Sequence, residues 1–181
     1  MKTKDLTKTG LIHIYCGDGK GKTTCGMGLC ARAAGAGKKV LIFQFMKDNS
    51  GAERRVLGSI PNIDLLDGPF RVRFSFRMTE EEKRERRAYY DGLLKEIARK
   101  VRSEGYDVLF LDEALYAIRA GLLDEELLAG FLDEKPEHLE VILTGQDPGG
   151  RLRSAADYIS EIRKIKHPFD NGVPARDGIE K

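Results

Sequence analysis

Between a short apolar run at residues 11–15 and an Ala-, Leu- and Met-rich stretch reaching residue 34, the chain reads Cys16-Gly17-Asp18-Gly19-Lys20-Gly21-Lys22-Thr23-Thr24. Few features narrow the choice of fold as much. A glycine turn that joins a buried strand to a helix aims successive backbone N–H groups at one point, and the positive end of the helix dipole faces the same place. That point suits a phosphate. Lys22 adds a mobile cation for phosphate oxygens, and the Thr23 hydroxyl is placed to coordinate Mg²⁺. The spacing is short: Gly17 and Gly21 enclose only three residues, and Cys16 takes the position where the usual pattern has its first glycine.

The remaining sequence alternates strand and helix signals. Gly35-Ala36-Gly37 stops the first helix, and residues 40–46 form a second apolar run of strand length. A β-α-β unit of this length implies parallel strands with a right-handed crossover, and a parallel sheet needs helices on both faces. A short helix is expected at residues 52–57 and a weak strand at 63–66, while residues 68–78 give no clear pattern. Thr79 and Glu82 make a capping box, after which Tyr90, Leu93, Leu94, Ile97 and Val101 recur at helical spacing until Gly105. This is the longest expected helix, and its charges at 80–87 read as a solvated face. Residues 108–111 form a third buried strand ending in Asp112-Glu113, and 139–143 a fourth ending in Thr144-Gly145. A further strand is expected within 159–165, followed from His167 by an irregular tail carrying Pro168, Gly172, Pro174 and Gly178.

The implied class is α/β, a mostly parallel sheet flanked by helices on both faces. Ligands bind such sheets outside the carboxyl ends of the strands, where Asp112 and Glu113 emerge and can reach a metal on the phosphates. The alternative for this pair is an acidic helix start that satisfies the dipole.

With 181 residues and 41% hydrophobic content, the chain can bury one core, so residues 10–181 are expected to form a single domain after a flexible segment at 1–9. Lys and Arg total 31 against 29 Asp and Glu, a net charge of +2 that gives no support to a nucleic-acid partner. No apolar segment follows the early lysines, and no window approaches the roughly 20 apolar residues of a membrane span. A soluble, cytoplasmic protein without a membrane partner is expected. Cys16, Cys25 and Cys30 form no CxxC pair and fit reduced thiols, with Cys25 and Cys30 read as small buried residues on the first helix.

These features alone specify a Mg-ATP-dependent protein of the P-loop class, which includes kinases, motors and group transferases. More specific is the set formed by residues 17–24 together with Gln44-Phe45-Met46-Lys47, Gly51-Ala52-Glu53-Arg54, Leu111-Asp112-Glu113, Thr144-Gly145, Ala156-Asp157, Lys166-His167-Pro168-Phe169-Asp170-Asn171-Gly172 and Gly178-Ile179-Glu180. In order and spacing it resembles the ATP:corrinoid adenosyltransferases, a family with a RecA-like P-loop fold, over roughly residues 10–180. The resemblance implies attack of reduced Co(I) on the ribose 5′-carbon of ATP with loss of inorganic triphosphate. It assigns ATP binding to Gly17, Asp18, Gly19, Lys20, Gly21, Lys22, Thr23, Thr24 and Arg32, with Lys20 and Lys22 stabilising the leaving group. Mg²⁺ or Mn²⁺ falls to Thr23, Asp112 and Glu113.

Phe70-Arg71-Val72-Arg73-Phe74-Ser75-Phe76 resembles the family's aromatic loop, in which Phe74 and Phe76 would press on the lower face of the corrinoid. By spacing alone, two alternating phenylalanines also fit a buried strand face. Three departures stand out: Phe76 replaces a tryptophan of better-known members, Gln146 stands where relatives carry arginine, and the segment before Gly10 is short. The resemblance also implies a homodimer and a reduced flavoprotein as electron donor. A P-loop ATPase or kinase using Glu113 to activate water or a hydroxyl, and a nucleotide-binding regulatory module, are the rival readings.

Overall fold

The computed structural model describes residues 10–69 and 75–180; the expected flexible segment at 1–9 and Phe74 lie outside the described residues. Six strands make one sheet: β1 (Ile12–Cys16), β2 (Val40–Gln44), β3 (Ile63–Leu65), β4 (Val108–Asp112), β5 (Glu140–Thr144) and β6 (Tyr158–Glu161). Their order is β3-β2-β4-β5-β1-β6, with every pairing parallel. The connecting helices are α1 (Lys22–Gly35), α2 (Ala52–Leu57), α3 (Glu80–Ser103), α4 (Ala114–Arg119), α5 (Glu125–Asp133) and α6 (Gly150–Ala155).

Alternation along the central strands divides the core in two. On β4, Leu109 and Leu111 face one side with Phe43, Tyr90, Leu94 and Leu128, whereas Val108 and Phe110 face the other with Met27, Cys30 and Leu57. Helices α3 and α5 thus cover one face, and α1 and α2 the other, as a parallel sheet requires. Fully burying one side chain such as Phe110 contributes about 1.5–3 kcal/mol. Helix α1 lies close on β4 because Gly26 has no side chain: a Cβ there would come within 2.3 Å of the Phe110 ring. Cys30 is buried in that contact, but Cys25 is exposed, contrary to the buried position expected for it.

The longest helix begins where the capping box placed it. Thr79 Oγ1 accepts from the Glu82 N–H at 3.2 Å, and Glu82 Oε2 accepts from the Thr79 N–H at 2.8 Å. Two strands are shorter than their apolar runs. After β2 the Met46 backbone turns left-handed at φ 57°, and its N–H donates to the buried Tyr90 hydroxyl at 2.9 Å. Strand β6 stops at Glu161 because Ile162 turns over the glycine loop, donating to Cys16 O at 2.8 Å and accepting from the Gly19 N–H at 2.8 Å. No helix among the described residues is long and apolar enough to cross a membrane.

Candidate functional site

Strand order determines what meets at the carboxyl edge. Because β1 lies between β5 and β6, and β4 between β2 and β5, the exits of β1, β2, β4 and β5 sit side by side. They deliver the glycine loop, the 45–47 turn, Asp112-Glu113 and Thr144 to one region. In open α/β sheets this edge is where ligands bind.

Residues 17–21 leave β1 and enter α1 with Gly21 in a left-handed conformation at the N-cap. Gly17 also has positive φ, 106°, and a Cβ there would lie 2.4 Å from Ile162 O. Its glycine is therefore demanded by the protein's own backbone as well as by any phosphate. The Lys22 ammonium folds back and donates to Gly19 O at 2.7 Å, 5.9 Å from the centre of the Tyr116 ring. Lys20, Asp18 and Thr24 are exposed on the loop and first helical turn. The Asp18 carboxylate accepts from the Lys164 N–H at 2.9 Å, a bond that holds its pKa below the usual value and ties the loop to the chain after β6.

At the centre stands Asp112, which is fully buried. One carboxylate oxygen accepts from the Thr23 hydroxyl at 2.9 Å and the Thr144 hydroxyl at 2.6 Å. The other accepts from the Gln44 amide at 3.0 Å and the Lys47 ammonium at 2.8 Å. A buried carboxylate left without donors would cost several kcal/mol. Here both oxygens are satisfied, three of the donors are neutral, and Lys47 supplies the countercharge. The network extends outward through Arg54, also buried, which donates to Gln44 Oε1 at 3.3 Å and to Asp67 at 2.8 Å.

Glu113 follows in a left-handed conformation at φ 61° and caps α4 without a side-chain cap bond. Its N–H donates to Thr144 Oγ1 at 2.8 Å, so one threonine joins both acidic residues. Burial, reinforced by the neighbouring Asp112 charge, pushes the Glu113 carboxyl up to about 7, against the pull of Lys47 and Lys22. A non-glycine residue held left-handed beside a buried carboxylate marks backbone strain of the kind found at functional sites.

Thr23 and Asp112 thus come into direct contact, with Glu113 adjoining and Lys22 at the loop. Among the described residues, no group of three or more His, Cys, Asp or Glu side chains could by itself hold a metal ion. Nucleotide-borne Mg²⁺ typically takes only one or two protein oxygens beside phosphate and water, and a hydroxyl touching a carboxylate fits that donor set. Arg32 is not brought to the loop. It sits in the last turn of α1, ten residues beyond Lys22 and about 15 Å along the axis, out of reach of a phosphate at the helix start. Gln44, Lys47 and Thr144 had no assigned role in the sequence; their signal was position, each at or just beyond a strand end that faces the loop.

Two phenylalanines, Phe76 and Phe169, are exposed. Phe76 belongs to a 3-10 turn, Ser75–Arg77, and is 77% exposed, so it is no part of a buried strand face. Opposite the loop, the tail forms a 3-10 turn at Pro168–Asn171, and Phe169, Pro174 and Glu180 close a cavity of about 250 Å³ against Asp18, Gly19 and Lys20. Gln146 accepts from Arg119 at the exit of β5, which brings a guanidinium beside the position that lacks one.

Residues 8–180 match the family described as ATP:corrinoid adenosyltransferase BtuR/CobO/CobP. The corrinoid adenosyltransferase of Escherichia coli K12 is 33% identical over 178 residues, covering 94% of this chain and 85% of that protein. Corrinoid adenosyltransferase CobA of Salmonella typhimurium is 35% identical with the same coverage. Among solved structures, a KaiC-like protein of Pyrococcus horikoshii superposes with a TM-score of 0.57 at 19% identity, over 88% of this chain and 75% of that one. That last likeness identifies the fold as RecA-like.

Proposed function

The chain belongs to the ATP:corrinoid adenosyltransferase family, and from that premise we propose that it transfers the 5′-deoxyadenosyl group of ATP to the Co(I) of a reduced corrinoid, releasing inorganic triphosphate. Both electrons of the new Co–C bond come from Co(I), and the C5′–O bond breaks with its pair leaving on triphosphate. No protein base is required by this balance. The protein's work is to hold cobalt and carbon in line and to stabilise charge on the leaving group.

The observation that carries the reading is the convergence of the glycine loop, Lys22 and the Thr23–Asp112 pair at one edge. Backbone N–H groups of residues 17–22 and the Lys20 and Lys22 ammoniums would receive the triphosphate. Thr23, Asp112 and Glu113 are the groups that would hold Mg²⁺, which supplies further charge neutralisation on the phosphate oxygens. Exposed Phe76 offers an apolar ring to the lower face of a corrinoid, where displacement of an axial ligand eases reduction of the cobalt. By family resemblance, a reduced flavoprotein delivers the electron and the enzyme works as a cytoplasmic homodimer.

An anaerobic assay with Mg-ATP and chemically reduced cob(I)alamin tests the reading. Loss of the Co(I) absorbance with growth of a light-sensitive Co–C product is expected. Persistent Co(I) in the presence of folded protein and Mg-ATP would contradict it.

A further inference from the structure

The Lys47 ammonium touches the two atoms from which a metal site would be built. Its Nζ lies 2.8 Å from Asp112 Oδ2 and donates to Thr23 Oγ1 at 3.3 Å, while Thr23 itself donates to the same carboxylate. The ammonium thus lies where a nucleotide-borne cation is expected, between the loop hydroxyl and the buried acid. Its placement is built rather than incidental. Lys47 follows the left-handed Met46, whose N–H is held by Tyr90, and the Phe45 N–H donates to Asp112 O at 2.9 Å, so the turn after β2 is fastened on both sides. The Lys47 side chain is 31% exposed and Asp112 is not exposed at all, so the stem runs from the solvent edge to a fully desolvated charge.

We infer that Lys47 is an internal placeholder cation: it neutralises Asp112 in the nucleotide-free enzyme, competes with the divalent metal for Asp112 and Thr23, and is displaced when Mg-ATP enters. The inference rests on the reading of Thr23 and Asp112 as the metal-binding pair. A monovalent and a divalent cation cannot share that position without strong repulsion at short range. A lysine suits the exchange, since its compact charge rides on a flexible four-carbon stem and can follow the phosphate oxygens once displaced. Metal loading is thereby coupled to nucleotide arrival, because a bare metal ion must evict the ammonium without the phosphates that would receive it.

The test is Mn²⁺ binding to the full chain, followed by the electron paramagnetic resonance of free Mn²⁺, without and then with ATP. For the parent chain, weak binding without nucleotide and tight binding with ATP are expected. Lys47→Met should tighten nucleotide-free Mn²⁺ binding by about tenfold or more, as a competing charge is removed, and should lower the Tm of the metal-free chain, with Mn²⁺ restoring it. Should Lys47→Met not fold, Lys47→Gln, which keeps N–H donors without the charge, carries the same expectation for Mn²⁺. Adding Asp112→Asn to either variant should abolish the gain. Unchanged or weaker nucleotide-free binding in the Lys47 variants would overturn the placeholder role while leaving the metal pair standing. Absence of bound Mn²⁺ in the parent chain even with ATP would instead overturn the metal pair, and this inference with it.

Discussion

The phosphate end of the site and the two turns that carry exposed phenylalanines are built by different means. At the phosphate end, backbone geometry and buried polar bonds leave little freedom: Gly17 is confined by Ile162 O, and Asp112 is held by four donors. In the turns, Phe76 projects 77% exposed from one 3-10 segment, and Phe169 is 70% exposed from another. The first region resembles a folded core that happens to open at one point. The second keeps apolar surface available at a cost in exposed area. Strict placement suits a triphosphate and metal, whose charges demand fixed donors, whereas a large corrinoid face requires contact area more than hydrogen bonds.

This contrast predicts a graded set of effects. Lys22→Ala removes the cation proposed to stabilise the leaving group and should lower adenosyl transfer by about 10²–10³-fold or more in steady-state assays while the thermal transition stays near that of the parent. Retention of full activity would break the assignment of the phosphate end. Gly17→Ala meets a positive φ and the Ile162 carbonyl together, so a loss of about 1–3 kcal/mol in denaturant unfolding, accompanied by weaker ATP binding in calorimetry, is expected.

Phe76→Ala should behave in the opposite manner. Its exposure predicts a stability change within about 0.5 kcal/mol, while activity with unreduced cobalamin plus a reductant should fall several-fold more than activity with chemically pre-reduced Co(I), an order-of-magnitude expectation for loss of one apolar contact. Equal losses on the two preparations would remove the ligand-displacing role and leave only binding. Thr79→Ala, which deletes the cap of α3, should leave ATP affinity and adenosyl transfer unchanged and cost only about 1 kcal/mol in stability.

Much of this division was legible in the sequence. The glycine loop, the four central strands and the Thr79–Glu82 box are local patterns, and local patterns survive folding when tertiary contacts agree with them. The turn after β2 was not legible, because Met46 adopts its left-handed conformation for a hydrogen bond to Tyr90, far along the chain. Nor was the early end of β6, which follows from Ile162 bridging Cys16 and Gly19. The same reason hid Lys47: the motif containing it was visible, but its meeting with Asp112 depends on β2 pairing with β4. Arg32, assigned to the nucleotide by resemblance, lies in the last turn of α1, ten residues beyond Lys22, where only a part of the ligand remote from the phosphates would meet it.

The central claim is that this edge of the sheet stabilises departing triphosphate rather than transferring or hydrolysing the terminal phosphoryl group. Phosphorus NMR of a reaction with Mg-ATP and cob(I)alamin distinguishes the two directly. The account predicts inorganic triphosphate in stoichiometric balance with adenosylcobalamin, whereas ADP with orthophosphate would contradict it and move the chain to ATP hydrolysis.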